Sequence, residues 1–464
     1  MAKFNKHYNT LDEPIFHYSL QDVESPNLYR EIFNYNEIPK VTFNHRRVPM
    51  SVPDEIWITD TTFRDGQQSR APYTLEQITD LFKLMSKLGG KKGLVRQTEF
   101  FVYSENDRKA IRSCQELGLQ FPQITGWIRA TKEDFKLAKN MDLNECGILV
   151  SCSDYHIFQK LQVSRKKAME GYLDIVKAAL DIGITPRCHF EDITRADYYG
   201  FVLPFATELK KLMDESGVLI KIRACDTLGY GVPYPGASLP RSVPGIIHGL
   251  QYYAEFPSSL IEWHGHNDFY KAVTNSVFAW LYGASAVNCS LLGIGERTGN
   301  TPLEAMVIEY AQLRGTLDGM KPTVITEIAN YYKEKINYKI PYQTPFVGRD
   351  FNATLAGIHA DGLMKFEEIY NIFDTEKLLH RKPHVVIAKT SGMAGLAHWI
   401  NSYNSDRGSN KCVDKNDKRL ELIKKNIDLQ YEQGRVTKLS DGEVEKMIKE
   451  LEPSLLVSGG VIRE

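Results

Sequence analysis

The sequence predicts a (β/α)8 barrel with an N-terminal extension and a mainly helical C-terminal region. Eight short apolar runs alternate with longer amphipathic stretches from residue 56 to the region of residue 315. That is the number of units a closed barrel needs, whereas an open doubly wound sheet more often stops at about five or six strands. Outside that stretch the pattern changes. Residues 1–54 are polar and aromatic and are broken by Pro14, Pro26, Pro39, Pro49 and Pro53, and beyond Gly315 helical spacing dominates. The division expected is an extension (1–54), a catalytic barrel (55–315) and a helical region (316–464).

In order, the strand-like runs are IWITD (56–60), LVRQTEF (94–100), FPQITGWIR (121–129), CGILVSC (146–152), ITPRCHFE (184–191), LIKIRACDT (219–227), LIEWHGH (260–266) and ASAVNCSLL (284–292). Segments such as LEQITDLFKLMSKLG (75–89), SRKKAMEGYLDIVKAALDIG (164–183) and NDFYKAVTNSVFAWLYGA (267–284) repeat apolar residues at helical spacing, several of them ending at glycine. In the C-terminal region DKNDKRLELIKKNIDLQYEQGR (414–435) reads as a solvated helix, and the tail EPSLLVSGGVIRE (452–464) has turn signals only.

Composition narrows the function. With 57 Lys plus Arg against 58 Asp plus Glu in 464 residues, the formal charge of −1 gives no field that predicts nucleic acid or an anionic membrane as a partner. Seven cysteines without a CxxC pair argue against a disulfide framework or zinc finger and fit a reducing cytoplasm. The N-terminus lacks the apolar core of a signal peptide, and no stretch approaches the roughly 20 apolar residues that span a bilayer.

In a barrel of this type chemistry belongs at the C-terminal ends of the strands. The first strand ends ITDTTFRDGQQ, placing Asp60, Arg64 and Asp65 near the mouth, where they suit a metal and an anionic substrate or form an ordinary turn with a surface ion pair. The seventh ends WHGHND, and because alternate strand residues share a face, His264 and His266 aim two imidazoles at one point. With Asp65 they make an open divalent-cation site, the reading adopted; the alternative is two hydrogen-bonded histidines capping the next helix. After the eighth strand, the glycines of LLGIGERTGNTPLE hold a tight loop that can turn Glu296, Arg297 and Asn300 inward. Arg187, His189 and Glu191 share one face of the fifth strand, either used by substrate or joined in an internal ion pair. Asp226 and Thr227 stand at the same rim as a helix cap or a substrate contact.

Together, DTTFRDGQQ, WHGHND and GIGERTGN resemble the metal-dependent barrel family of isopropylmalate, citramalate and homocitrate synthases and hydroxymethylglutaryl-CoA lyases, and LAGIHADGLMKFEEIYNIFD resembles its segment after the barrel. The resemblance implies a divalent metal held by Asp65, His264, His266 and Asn300, with Arg64 touching the keto oxygen and Thr227 the carboxylate of a 2-oxo acid. It also implies an active-site role for Glu191, and a homodimer in which His359 and Tyr370 reach the partner's active site. The lyases carry a cysteine in the loop after the eighth strand, and GIGERTGN has none, so condensation of acetyl-CoA is the direction expected.

Arginine at position 187 matches the homocitrate branch, where it binds the distal carboxylate of a dicarboxylic 2-oxo acid, and His189 in place of a small residue shortens the pocket. The substrate expected is therefore oxaloacetate, giving citrate; alternatives are 2-oxoglutarate and the isopropylmalate or citramalate reactions. Gln67 and Thr390 depart from the family's usual glutamate and histidine. Mixed nitrogen and oxygen ligands accept Mn, Co, Fe, Zn or Mg, with manganese placed first. Two readings from other classes stay open, an iron oxygenase with two histidines and one carboxylate, and a metal-binding scaffold without turnover.

Overall fold

Each apolar run becomes a parallel strand in the computed structural model, which describes residues 3–5, 10–12 and 15–457. The strands are β1 (Trp57–Asp60), β2 (Val95–Phe101), β3 (Gln123–Ile128), β4 (Glu145–Ser151), β5 (Thr185–Glu191), β6 (Lys221–Asp226), β7 (Ile261–Gly265) and β8 (Ala286–Cys289). They pair in sequence order, and β8 closes the barrel on β1 through Cys289↔Asp60 and on β7 through Asn288↔His264. Closure leaves no strand edge unpaired.

Eight helices follow the strands: α1 (Leu75–Gly89), α2 (Glu105–Glu116), α3 (Asp134–Lys139), α4 (Arg165–Asp181), α5 (Leu203–Ser216), α6 (Val243–Tyr252), α7 (Ala272–Leu281) and α8 (Leu303–Arg314). Capping boxes at Thr74 with Gln77 and Ser104 with Asp107 start α1 and α2 by satisfying N–H groups that the helix leaves free. One set of alternating strand residues, including Ile58, Phe100, Ile148, Phe190, Ile222 and Trp263, is buried and apolar, and Phe190 stacks on Phe205 of α5 at 5.2 Å. That outer layer supplies the hydrophobic core.

The other set fills the barrel with polar groups. Arg187 donates to Glu145 (2.7 Å) and Glu99 (2.6 Å), Arg223 to Glu262 (2.6 Å) and Glu99 (3.1 Å), and Lys221 to Glu145 (2.5 Å). An isolated charge would be untenable in such a place, so cations and carboxylates alternate. Burial alone would raise the Glu99 carboxyl, yet Arg223, His189 and Arg187 hold it well below the usual range. Arg187, the residue expected at the substrate's distal carboxylate, makes these ion pairs inside the barrel. His189 stands two residues nearer the mouth, its Nε2 at 3.4 Å from Arg187 Nε, and burial pushes its pKa down to about 3.

The chain divides into two units, Met1–Pro322 and Thr323–Glu464, so the extension belongs with the barrel and the boundary falls after Pro322 rather than at 315. The reason is hydrogen bonding. Asn27 N–H donates to Asp154 (2.7 Å), Tyr155 Oη to Leu28 O (2.7 Å), Ser238 N–H to Thr42 O (2.8 Å) and Ser51 N–H to Leu281 O (3.0 Å). Buried Arg165 joins Asp154 (2.7 Å), Asp197 (2.9 Å) and Gln21 O (3.0 Å). The extension is therefore laced to the loops after β4 and β6.

The second unit contains α9 (Thr323–Glu334), α10 (Gly357–Lys365), α11 (Thr375–Leu379), α12 (Met393–Asp406), α13 (Arg419–Glu432) and α14 (Asp441–Leu451). The charged run forms α13, solvated on one side and burying Leu420, Ile423 and Ile427 on the other. Residues 458–464 of the tail lie outside the described residues. Among the described residues no helix is long and apolar enough to cross a membrane.

One buried carboxyl makes barrel stability depend on pH. Glu304, at the start of α8, accepts the Leu292 N–H at 3.1 Å, and burial pushes its pKa from 4.5 up to about 7. Between those values the unfolded chain has released a proton that the folded chain retains, so stability falls as pH rises through that window and then levels. At about 1.4 kcal/mol per unit the total is about 3 kcal/mol. Glu304→Gln should remove that slope and be the more stable protein at pH about 8 by a similar amount. Urea midpoints at acid and alkaline pH measure this, and identical slopes in both proteins would refute it.

Candidate metal centre

The turn after β1 is shaped by Asp60, the strand's last residue. Its carboxylate accepts Thr62 N–H (3.1 Å), Thr62 Oγ1 (2.5 Å) and Thr98 Oγ1 (2.6 Å), while Arg64 and Gly66 N–H bond back to Thr61 O. Phe63 is buried outward against Phe100 and Tyr73, which turns Arg64 and Asp65 to the mouth. Gln67 braces the same turn by donating to Phe63 O (2.6 Å) and accepting Tyr73 N–H (3.0 Å).

Opposite, alternation on β7 and the residue after it brings His264 and His266 to one side. Their Nε2 atoms are 3.3 Å apart and lie 3.8 and 3.6 Å from Asp65 Oδ2. Asn288 Oδ1 accepts from His264 Nδ1 at 2.8 Å, and Asn288 Nδ2 donates to Thr59 Oγ1 at 2.9 Å. That relay fixes the His264 tautomer and leaves the Nε2 lone pair for the cluster. Burial pushes the His264 pKa down to about 4 and lowers that of His266 as well, so both rings are neutral ligands near pH 7. Asp65 is the reverse case. Burial would raise its carboxyl, but the Arg64 guanidinium beside it outweighs that and lowers its pKa.

The loop after β8 adds Asn300, whose backbone forms an isolated antiparallel bridge with that of His266. Gly293 and Gly299 adopt φ of +64° and +94°, and a Cβ at Gly295 would come within 2.5 Å of the Asn300 amide nitrogen. Only glycine leaves room for that amide. Glu296 and Arg297, which the loop was expected to turn inward with it, are exposed. Arg297 pairs instead with Asp268 (2.9 Å) and donates to Thr227 O (2.5 Å).

Asp65 Oδ2, His266 Nδ1 and both polar atoms of the Asn300 amide are buried without a hydrogen-bond partner among the described residues. Buried polar atoms left unpaired on three neighbouring residues call for a ligand. Two neutral nitrogens, one carboxylate and one amide oxygen are a donor set for a divalent cation with positions left open. Asp65, His264 and His266 are also the described cluster whose ligand atoms lie within 4.8 Å of one another.

Around this centre, Arg64 lies 3.4 Å from Asp65 Oδ1 and stacks on Trp127 at 4.6 Å. Thr227 Oγ1 accepts Asp192 N–H at 2.8 Å. Glu191 accepts from Ser151 Oγ and lies 3.1 Å from His156 Nδ1 and 3.6 Å from Lys160. Burial opposes its ionisation, yet His156, Ser151 and Lys160 bring its pKa down to about 2. His156, on a π-helical turn (Tyr155–Lys160) just past β4, escaped the sequence reading, although its place after a strand end could have marked it. Glu99, Arg223, Glu262 and Asn288 were missed too, and alternation along their strands was the available signal. His359 and Tyr370 lie together in the second unit, both exposed, with ring centroids 4.5 Å apart.

Comparison with known proteins agrees with this geometry. A family described as HMGL-like matches residues 55–331. The chain is 55% identical to the citrate (Re)-synthase of Clostridium kluyveri over 95% of its own length and 97% of that protein. It is 56% identical to the citrate (Re)-synthase of Syntrophus aciditrophicus over 99% of its own length and 73% of that protein. Identity to the 2-phosphinomethylmalate synthase of Streptomyces hygroscopicus is 35%, over 93% of this chain and 98% of the other. A closed barrel with this polar mouth, matched over more than half its sequence, belongs to the HMGL-like family.

Proposed function

We propose that this protein condenses acetyl-CoA with oxaloacetate to give citrate and free CoA, a reading supported by relatives named citrate (Re)-synthase that share 55% and 56% of its residues over nearly its whole length. That whole-length identity carries the reading, and the Asp65, His264, His266 and Asn300 cluster supplies the chemistry it requires. A divalent cation bound there, with manganese placed first among Mn, Co, Mg and Zn, would act as a Lewis acid on the keto group.

The chain's own residues do the rest. Arg64 faces the keto oxygen and stabilises the negative charge that develops when the methyl carbon of acetyl-CoA attacks and the carbonyl electrons move to oxygen. Thr227 orients the adjoining carboxylate. Glu191, ionised at neutral pH, can accept a proton or hold a cationic partner but has none to give. His359, assisted by Glu191 and Tyr370, takes the methyl proton and returns it to the alkoxide, and water then hydrolyses the citryl thioester to citrate and CoA. The homodimer is the one that the family resemblance implies, with His359 and Tyr370 reaching the partner's active site. Seven free cysteines, six of them buried, support a reducing cytoplasm.

The test follows free CoA with acetyl-CoA and, in turn, oxaloacetate, 2-oxoglutarate, pyruvate and 2-oxoisovalerate. Oxaloacetate should be the preferred acceptor, and a clear preference for 2-oxoisovalerate would overturn the diacid reading. In the same assay His359→Ala should lower turnover by about 100-fold or more with bound metal unchanged; near-normal turnover would remove His359 as the base.

A further inference from the structure

The second unit carries a cavity of its own, away from the residues given roles above. Its volume is about 930 Å³, within the range of small-molecule sites, and its walls are the end of α9, the loop 337–349 and the turn after α11. Thr326 Oγ1 donates to Leu379 O at 2.5 Å, which ties α9 to α11. Arg381 donates to the carbonyls of Val347 (3.1 Å), Gly348 (2.7 Å) and Arg349 (3.2 Å), which holds the loop. Bonds within the unit therefore set the walls in advance of any ligand.

The charge of the lining is one-sided. Three lysines, two arginines and two histidines face the cavity, and no Asp or Glu does. Arg349 is paired with Asp350 at 2.8 Å, and Lys382 lies 3.3 Å from Asp406. Lys333, Lys339 and Arg381 have no carboxylate within ion-pair distance among the described residues. Cations gathered without counterions repel one another, so the arrangement favours a ligand with more than one negative charge.

A different feature describes the other end of the ligand. Asn352 Nδ2 donates to Thr375 Oγ1 and to Arg381 O, both at 3.2 Å, which fixes the amide. Its Oδ1, on the same cavity, is buried with no hydrogen-bond partner among the described residues. Such an acceptor calls for an N–H donor. Tyr338, Ile340, Pro341 and Tyr342 add flat and apolar surface, which suits a ring whose donor edge carries no carbonyl oxygen.

We propose that this cavity binds an adenosine phosphate, with the phosphates on Lys333 and Lys339 and the adenine amino group on Asn352 Oδ1. Two sources share that chemistry, a free adenine nucleotide and the nucleotide end of CoA.

Calorimetric titration of the full-length protein with ADP, IDP and pyrophosphate tests the assignment without any turnover. ADP should bind, and IDP, which offers Asn352 a carbonyl oxygen in place of the amine, should bind about 10-fold more weakly or worse, as should pyrophosphate. Lys333→Gln/Lys339→Gln changes two exposed side chains and should weaken ADP by about 10-fold or more, with Tm, metal content and kcat unchanged. A higher KM for acetyl-CoA in that variant assigns the bound nucleotide to CoA, and an unchanged KM assigns it to a free nucleotide. No ADP binding at millimolar concentration, equal affinity for IDP, or undiminished ADP affinity in the double variant overturns the proposal.

Discussion

His264→Ala should empty the metal centre and lower CoA release with oxaloacetate by about a thousandfold or more. The expectation follows from how few donors converge there. His264 and His266 supply the two nitrogens, and Asp65 Oδ2, within 3.8 Å of both, supplies the carboxylate. Removing one imidazole takes away a ligand that Asn288 holds in place, and no other described His, Cys, Asp or Glu stands within the cluster to replace it. Metal analysis after dialysis checks the first half and the CoA assay the second. A variant that retained one equivalent of metal and a tenth of the turnover would show that the site lies elsewhere.

Glu99→Gln should destabilise the barrel unit by about 3–5 kcal/mol, the usual consequence of removing one partner from a buried ion pair. Glu99 is the acid on which the polar interior converges, 2.6 Å from Arg187, 3.1 Å from Arg223 and 3.4 Å from His189. A neutral amide would leave two buried guanidinium groups with Glu145 and Glu262 as their remaining carboxylates. Since the folded Glu99 carboxyl lies well below 4.5, its contribution is present above that pH and is lost only as acid titrates it through the lower folded value. Urea unfolding of both proteins near pH 7 measures the difference. A midpoint shift equivalent to less than about 1 kcal/mol would mean that solvent or a neighbouring carboxylate replaces Glu99.

Much of this was readable from residue order because it depends on local rules. A period of two in WHGHND puts His264 and His266 on one side whatever the rest of the chain does, and a strand end in a barrel puts them at the mouth. The turn RDG likewise delivers Asp65 to the same end. The role of Arg187 was a different matter. Its strand shows that it faces the interior, but not which acids face it, and Glu99 and Glu145 come from β2 and β4 through the stagger of a closed sheet.

The sequence by itself therefore determined the eight-stranded barrel and three metal-ligand candidates, since hydrophobic period and strand-end position are properties of neighbours along the chain. Tertiary structure alone decided that Asn300 turns inward while Glu296 and Arg297 do not, that the extension is tied to the barrel by Arg165 and Asp154, and that Arg223 keeps a free donor. Those outcomes depend on which charges and hydrogen-bonding groups meet across strands far apart in the chain, and burial makes each such meeting either satisfied or costly.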